Sequence, residues 1–399
     1  MPAARATPED TLPDPSPLPA RDLSWHVAEA ARLDPQALAR RARKRLDRGD
    51  IRAAICYLEA QQARDPDAGL ALHLAALHRQ CRDLKRALGH LKSALARWPA
   101  RAELVRPLAE IATLAGDHAF AARLWDRLAQ VGPAPLEPVL RAIGCLRLTG
   151  QEARVHALLA RHEPHLIQKL TPAGFRMVAL GVAPYAELPQ GLYLVTGNNG
   201  TGKTRLGQFL QTLGFQTVEA DIEIGCYCAN GRYADLAHDL TRHAPPDADA
   251  PRWIWPRDRF AALHSRVRVT GGPVFVIGGN GPIVAQHVGS CERVFHLHAP
   301  TSVIARRLAQ RDSPSHRVGS QAYDGALWRN RRRDVPDFPV ISLSADRPVW
   351  ATCAEMLHRA QTLPGAEPDT PQVEAATRPV MPAKASATRP PAEGSGRAV

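Results

Sequence analysis

Residues 197–204 read Gly-Asn-Asn-Gly-Thr-Gly-Lys-Thr, a G-x-x-x-x-G-K-T spacing whose residue types suit the holding of a phosphate chain. Gly197, Gly200 and Gly202 let the backbone curl so that its N–H groups converge on one anion, and Asn198, Asn199 and Thr201 complete the cradle. Lys203 is spaced to reach the outer phosphates of ATP, and Thr204 to give its hydroxyl to Mg2+. Lysine usage sets this position apart. The chain writes its positive charge mostly as Arg, yet between Thr171 and Ala383 its only lysine is Lys203. A compact ammonium suits a phosphate cradle in a way that a planar guanidinium does not.

For that chemistry a strand must lead into the loop and a helix must leave it, with the helix adding its positive dipole end. Leu192–Thr196 is an apolar, β-branched run, and Arg205–Leu213 carries apolar residues at helical spacing. Four more apolar runs, Gln216–Ala220, Val274–Ile277, Val294–Leu297 and Val340–Leu343, alternate with helical segments. Such alternation predicts a parallel sheet with helices on both faces and ligands at the carboxyl ends of its strands. The second run closes with Glu219-Ala220-Asp221, which sets an acid beside the cradle. That acid could hold Mg2+, accept a proton from a substrate hydroxyl, or cap the next helix. The third run enters Gly278-Gly279-Asn280-Gly281 with no acid behind it, and glycines there permit close approach of a small substrate. The fourth leads through Arg306, Arg307 and Arg311 into a polar loop with Arg317. These arginines suit either a segment that closes over phosphates or a solvated basic helix. Trp253 and Trp255, with Arg257 and Arg259, read as receivers of a base or sugar or as ordinary core packing. The turn Ser344–Pro348 after the last run is suited to bordering a base.

Four features carry a family resemblance: Gly197–Thr204, E-A-D at 219–221, V-F-V-I-G-G at 274–279, and V-F-H-L-H-A-P with R-R-L-A-Q-R between 294 and 311. On these the region 191–362 resembles the shikimate-kinase and nucleoside-monophosphate-kinase branch of P-loop kinases. The resemblance implies a five-stranded parallel sheet and Mg2+-dependent transfer of the ATP γ-phosphoryl group to a small acceptor. It places Arg307 by the adenine, Arg311 or Arg317 in a lid, Asp221 at the acceptor and Glu219 near the metal. Glutamate at 219 and Asn280 depart from the family's usual aspartate and glycine. The family's Arg-containing Pro-Leu-Tyr segment has no match around Trp328–Arg333, and the insertion 225–266 is foreign to shikimate kinases. The acceptor is therefore left unnamed.

Residues 23–181 read as helices rich in Ala, Leu and Arg, after a Pro/Ala-rich stretch, 1–22, expected to be disordered. Gly49-Asp50, Arg82-Asp83, Gly116-Asp117 and Gly150-Gln151 recur 33, 34 and 34 residues apart. Pro66, Pro99 and Pro133 close the units, and within them Ala54, Ala87 and Ala121 precede Leu58, Leu91 and Trp125 by four residues. This pattern resembles the tetratricopeptide repeat, with a degenerate last unit carrying Val155 and His162. The resemblance implies a concave surface, which either takes a protein or peptide partner or docks on its own neighbouring domain. A linker is expected over 182–190 and a disordered tail over 363–399.

The net charge of +12 raises nucleic acid as a partner, but the excess is Arg scattered over helices, which disfavours it. No run approaches the roughly 18 apolar residues of a membrane span. Seven scattered cysteines suit free thiols in a reducing cytosol, and the one close pair, Cys226 and Cys228, lacks the partners a zinc site needs. The expectation is thus a multidomain cytoplasmic protein, an all-α repeat domain followed by an α/β P-loop kinase-like domain. Three function classes follow: a small-molecule kinase, an ATP-gated binding or regulatory protein, and a kinase acting on a macromolecule.

Overall fold

The structure, a computed structural model, describes residues 16–17, 20–130, 136–242, 250–279, 281–310, 320–331 and 336–361. Arg311, Arg317, Asn280 and Pro133 lie outside them, as do most of 1–22 and all of 363–399. Ser16–Pro17 forms a short strand, β1.

The first half is helical. After α1 (Ser24–Ala30) come four hairpins: α2 (Pro35–Asp47) with α3 (Ile51–Arg64), α4 (Ala68–Gln80) with α5 (Leu84–Arg97), α6 (Val105–Leu114) with α7 (His118–Gln130), and α8 (Leu136–Leu148) with α9 (Glu152–Leu180), which is broken at Thr171. Each hairpin turns on one left-handed residue, Gly49, Arg82, Gly116 or Gly150. Asp50, Asp83 and Asp117 then cap the following helix by accepting the N–H of Ala53, Arg86 and Phe120. Ala54, Ala87 and Ala121 are fully buried, which lets the paired helices approach, and Leu91 and Trp125 fill the space beyond.

The second half is an α/β unit. Strands β2 (Leu192–Gly197), β3 (Gln216–Glu219), β7 (Val274–Ile277), β8 (Arg293–His298) and β9 (Ile341–Ser344) form an all-parallel sheet in the order β3-β7-β2-β8-β9. Tyr193, Val195, Phe275, Ile277, Phe295 and Leu297 point to the face covered by α10 (Lys203–Leu213) and α13 (Val349–Gln361). Leu192, Leu194, Val274, Val276 and Val294 point to the other face and pack on Phe260, Leu263 and Val267. Burial on both faces explains the near-continuous apolar runs.

Helices and sheet share a core. Val139, Ile143, Leu146 and Val178 belong to the same buried cluster as Phe209, Phe275 and Phe295. Gly144 on α8 permits this contact, since a Cβ there would lie 2.9 Å from the Gln211 carbonyl oxygen. The stretch 225–266 adds a small sheet, order β1-β5-β4-β6, built from β1, β4 (Cys226–Ala229), β5 (Arg232–Ala234) and β6 (Arg252–Ile254). Just past β5, Leu236 enters a cluster with Leu38, Tyr57, Leu74 and Leu77 of the helical region. Asp235 pairs with Arg82 at 3.0 Å and Asp239 with Arg52 at 3.1 Å. The hairpins thus hold part of their own chain. Among the described residues no helix is long and apolar enough to cross a membrane, and all seven cysteines carry free thiols, six of them buried.

Candidate functional site

The chain leaves β2 toward β3 on one side of the sheet and leaves β8 toward β9 on the other. Connections that diverge from adjacent strands open a crevice at the carboxyl ends, the place where open α/β sheets take ligands. Residues 198–202 form the loop at that crevice. Gly197 (φ 143°) and Gly200 (φ 87°) hold conformations that side chains resist. A Cβ on Gly197 would also lie 2.5 Å from the Leu297 carbonyl oxygen. Thr201 Oγ1 donates to the Asn198 carbonyl at 2.8 Å and closes the turn. Asn199 is exposed at its tip, while Asn198 and Thr201 are buried. Gly202 (φ 100°) stands at the N-terminus of α10. Lys203 Nζ folds back over the loop, donating to the carbonyls of Gly197 at 2.6 Å and Asn198 at 3.2 Å.

Arg307 reaches this loop from α12 (Thr301–Ala309). Its guanidinium donates to the carbonyls of Thr201 at 3.1 Å and Ala345 at 2.7 Å, tying the loop to the turn after β9. Beside it lies a cavity of about 810 Å³ bordered by Gly202, Thr204, Arg307, Arg347, Trp350 and, from the helical region, Lys169. Thr204 also borders a second cavity, of about 410 Å³, with Glu219, Gln208, Arg141, Arg79 and His118. Burial raises the Glu219 carboxyl above its ordinary range; Arg141 opposes that shift, and Glu223 adds to it.

Asp221 lies in the one-turn helix α11 (Ala220–Glu223), whose N-cap position is Glu219, so it is not the cap of that helix. Its exposed carboxylate accepts from Trp255 Nε1 at 3.1 Å and from the Gly279 N–H at 3.4 Å. The glycines at 278 and 279 make room for that tryptophan: a Cβ on Gly279 would lie 2.8 Å from the indole. Trp255 itself is fully buried against Phe260 and His287, and is core. Trp253 packs edge-on to Tyr227. Arg259 is held by Asp235 at 2.9 Å and lies over the Tyr233 ring. Arg257 is exposed. The structure therefore gathers the loop, Lys203, Thr204 and Arg307 at one crevice and sets Glu219 and Asp221 at the end of the edge strand β3.

His296 stands in the sequence only as one letter of the motif that starts at Val294, with no role of its own. It pairs with Thr196 across β2 and β8, one residue before the loop, and is 9 % exposed. Its Nδ1 is buried with no hydrogen-bond partner. Burial, with His298 and Lys203 nearby, pushes it down to about 4, so the ring is neutral. A histidine inside the apolar run Val294–Leu297 is the signal that could have marked it.

No protein-family model matches the chain, and no curated protein is significantly similar to it. Among solved structures, a point mutant of the Thermobaculum terrenum O-GlcNAc transferase aligns with 72% of this chain and 50% of its own at 15% identity and a TM-score of 0.28. This chain therefore spans about half the length of that protein. So distant an alignment assigns neither fold nor activity here.

Proposed function

We propose that residues 197–204 are a P-loop, that the α/β unit binds ATP, and that it moves the γ-phosphoryl group to a hydroxyl or phosphate of a small molecule. The observation that carries this reading is the loop itself, a glycine-shaped turn at a diverging crevice with a lysine ammonium lying on its carbonyls. In this reading the backbone N–H groups of 198–204 and the α10 N-terminus receive the phosphates, and Lys203 turns from the loop carbonyls to them. Arg307 and the turn after β9 border the base. Thr204 and Glu219 border one cavity and would hold Mg2+, which supplies charge neutralisation on the phosphates. Asp221, aimed by Trp255 and Gly279, accepts the proton or orients the hydroxyl of the acceptor. Incubation with labelled ATP and pooled small metabolites should give a labelled, acceptor-dependent product. ATP binding without any product would rule out transfer.

A second reading, ATP as a conformational switch without transfer, has one observation in its favour. The hairpins, which resemble tetratricopeptide repeats, grip the chain at Asp235, Leu236 and Asp239, and Arg82 Nη2 also reaches the Asp221 carbonyl at 3.5 Å. A nucleotide-driven shift of the acceptor side would reach the helices through these contacts, and would free or close the surface offered to a protein partner.

A further inference from the structure

Three helices of the hairpin region converge on a constellation far in sequence from the loop. Glu59 on α3, His78 on α4 and His90 on α5 each offer one ligand atom, and these atoms all lie within 4.8 Å of one another. His78 Nε2 lies 3.1 Å from Glu59 Oε1, and His90 Nε2 lies 3.4 Å from the same oxygen. Both Nε2 atoms thus face one carboxylate oxygen, while the two imidazoles are stacked, with centroids 5.1 Å apart and planes 21° from parallel, so one ring has to turn for both in-plane lone pairs to meet one ion. A tetrahedral zinc ion with bonds of about 2.0–2.1 Å holds its ligand atoms roughly 3.3 Å apart. Two of the three separations already have that length, and a turn of the His90 ring, 21 % exposed, would bring the third to it.

We propose that Glu59, His78 and His90 bind a zinc-class divalent ion, with a fourth position left to water. Two imidazoles and one carboxylate suit Zn2+, Co2+ or Ni2+, whereas Mg2+ and Ca2+ favour sets made of oxygen. His78 is 2 % exposed and belongs to the packed interior, so its ring is fixed before the ion arrives. Asp83 Oδ2 stands 3.9 Å from the other nitrogen of His78, beyond hydrogen-bond length but on the side from which a carboxylate orients a metal-bound imidazole. Arg86 also faces Glu59, at 4.0 Å, but its side chain is 63 % exposed and can swing into solvent when the ion binds. The ion would tie α3 to α4 and α5, that is, one hairpin to the next, independently of any nucleotide.

The test is calorimetric titration of Zn2+, with Co2+ absorption as a second readout, on the chelator-treated, tag-free full chain. Wild type is compared with His90→Ala and Glu59→Gln. The expected result is one equivalent of Zn2+, a tetrahedral Co2+ spectrum, and affinity at least about tenfold weaker in both variants. His90 is partly exposed and Glu59→Gln keeps the side-chain shape, so if one variant fails to fold the other carries the comparison. No saturable binding by wild type would overturn the proposal. So would binding that both folded variants retain, because the ion would then sit at the thiols or other histidines.

Discussion

Asp221 is the residue on which transfer and mere binding part. Asparagine at 221 keeps an oxygen for the Trp255 indole but loses the acceptor facing the Gly279 N–H, and it loses the charge. If the carboxylate serves the acceptor hydroxyl, Asp221→Asn lowers turnover by about 10²–10⁴-fold with ATP affinity little changed. Turnover equal to wild type would remove Asp221 from the site, and a helix-capping role, in which Asn substitutes well, is not what the residue does here. His296 makes a separate prediction. Its proton affinity is lower folded than unfolded, so the unfolded chain binds more protons between the ordinary histidine range and pH 4. Stability is then complete above about pH 6.5 and is lost as pH falls toward 4, by on the order of 3 kcal/mol at the acid end. His296→Gln should flatten that part of the pH–stability curve; an unchanged slope in denaturant titrations would assign it elsewhere. The sequence could not show which way this ring points, because a strand buried on both faces carries no alternation to read.

At the scale of elements, much of the architecture was readable from local chemistry. The five parallel strands fall within a residue or two of the apolar runs, and the hairpin period appears as left-handed residues at 49, 82, 116 and 150. What could not be read depends on contacts distant in sequence. The small sheet around β4 joins Ser16–Pro17 to Arg232–Tyr233, and the seat of Leu236 among the hairpins rests on one leucine and two aspartates with no periodicity. The glycines at 278 and 279 were expected to face a substrate, and they face Trp255 because an indole fills the same space. Arg82 is the one turn residue of the four that is not glycine, and its side chain spans to Asp235 and to the Asp221 carbonyl. Arg82→Gly relieves its backbone while removing those contacts, so the hairpin should stay folded, within about 1 kcal/mol of wild type. Hydrogen exchange should rise over residues 221–236 alone. Protection unchanged there would mean that Arg82 does not hold the segment from Asp221 to Asp235.

At the scale of the whole molecule, the helical region and the sheet share one buried cluster, with α8 pressed on α10, the helix that begins at Lys203. Arg147 reinforces the seam by donating to the Thr212 carbonyl at 2.6 Å, and Thr212 Oγ1 donates back to Leu140 at 3.2 Å. Anything that shifts α10 on binding phosphate is therefore felt by α8, and through it by the hairpin stack. The proposed phosphoryl transfer rests on ATP sitting in the loop 197–204. The most direct measurement is a titration of wild type and Lys203→Ala with MgATP, side by side, with the fold of each checked by circular dichroism. The account predicts saturable binding to wild type and binding weakened by about tenfold or more in the variant, at least the 1.4 kcal/mol expected for removing one charge-assisted phosphate contact. No binding to wild type, or equal binding to both, would contradict it.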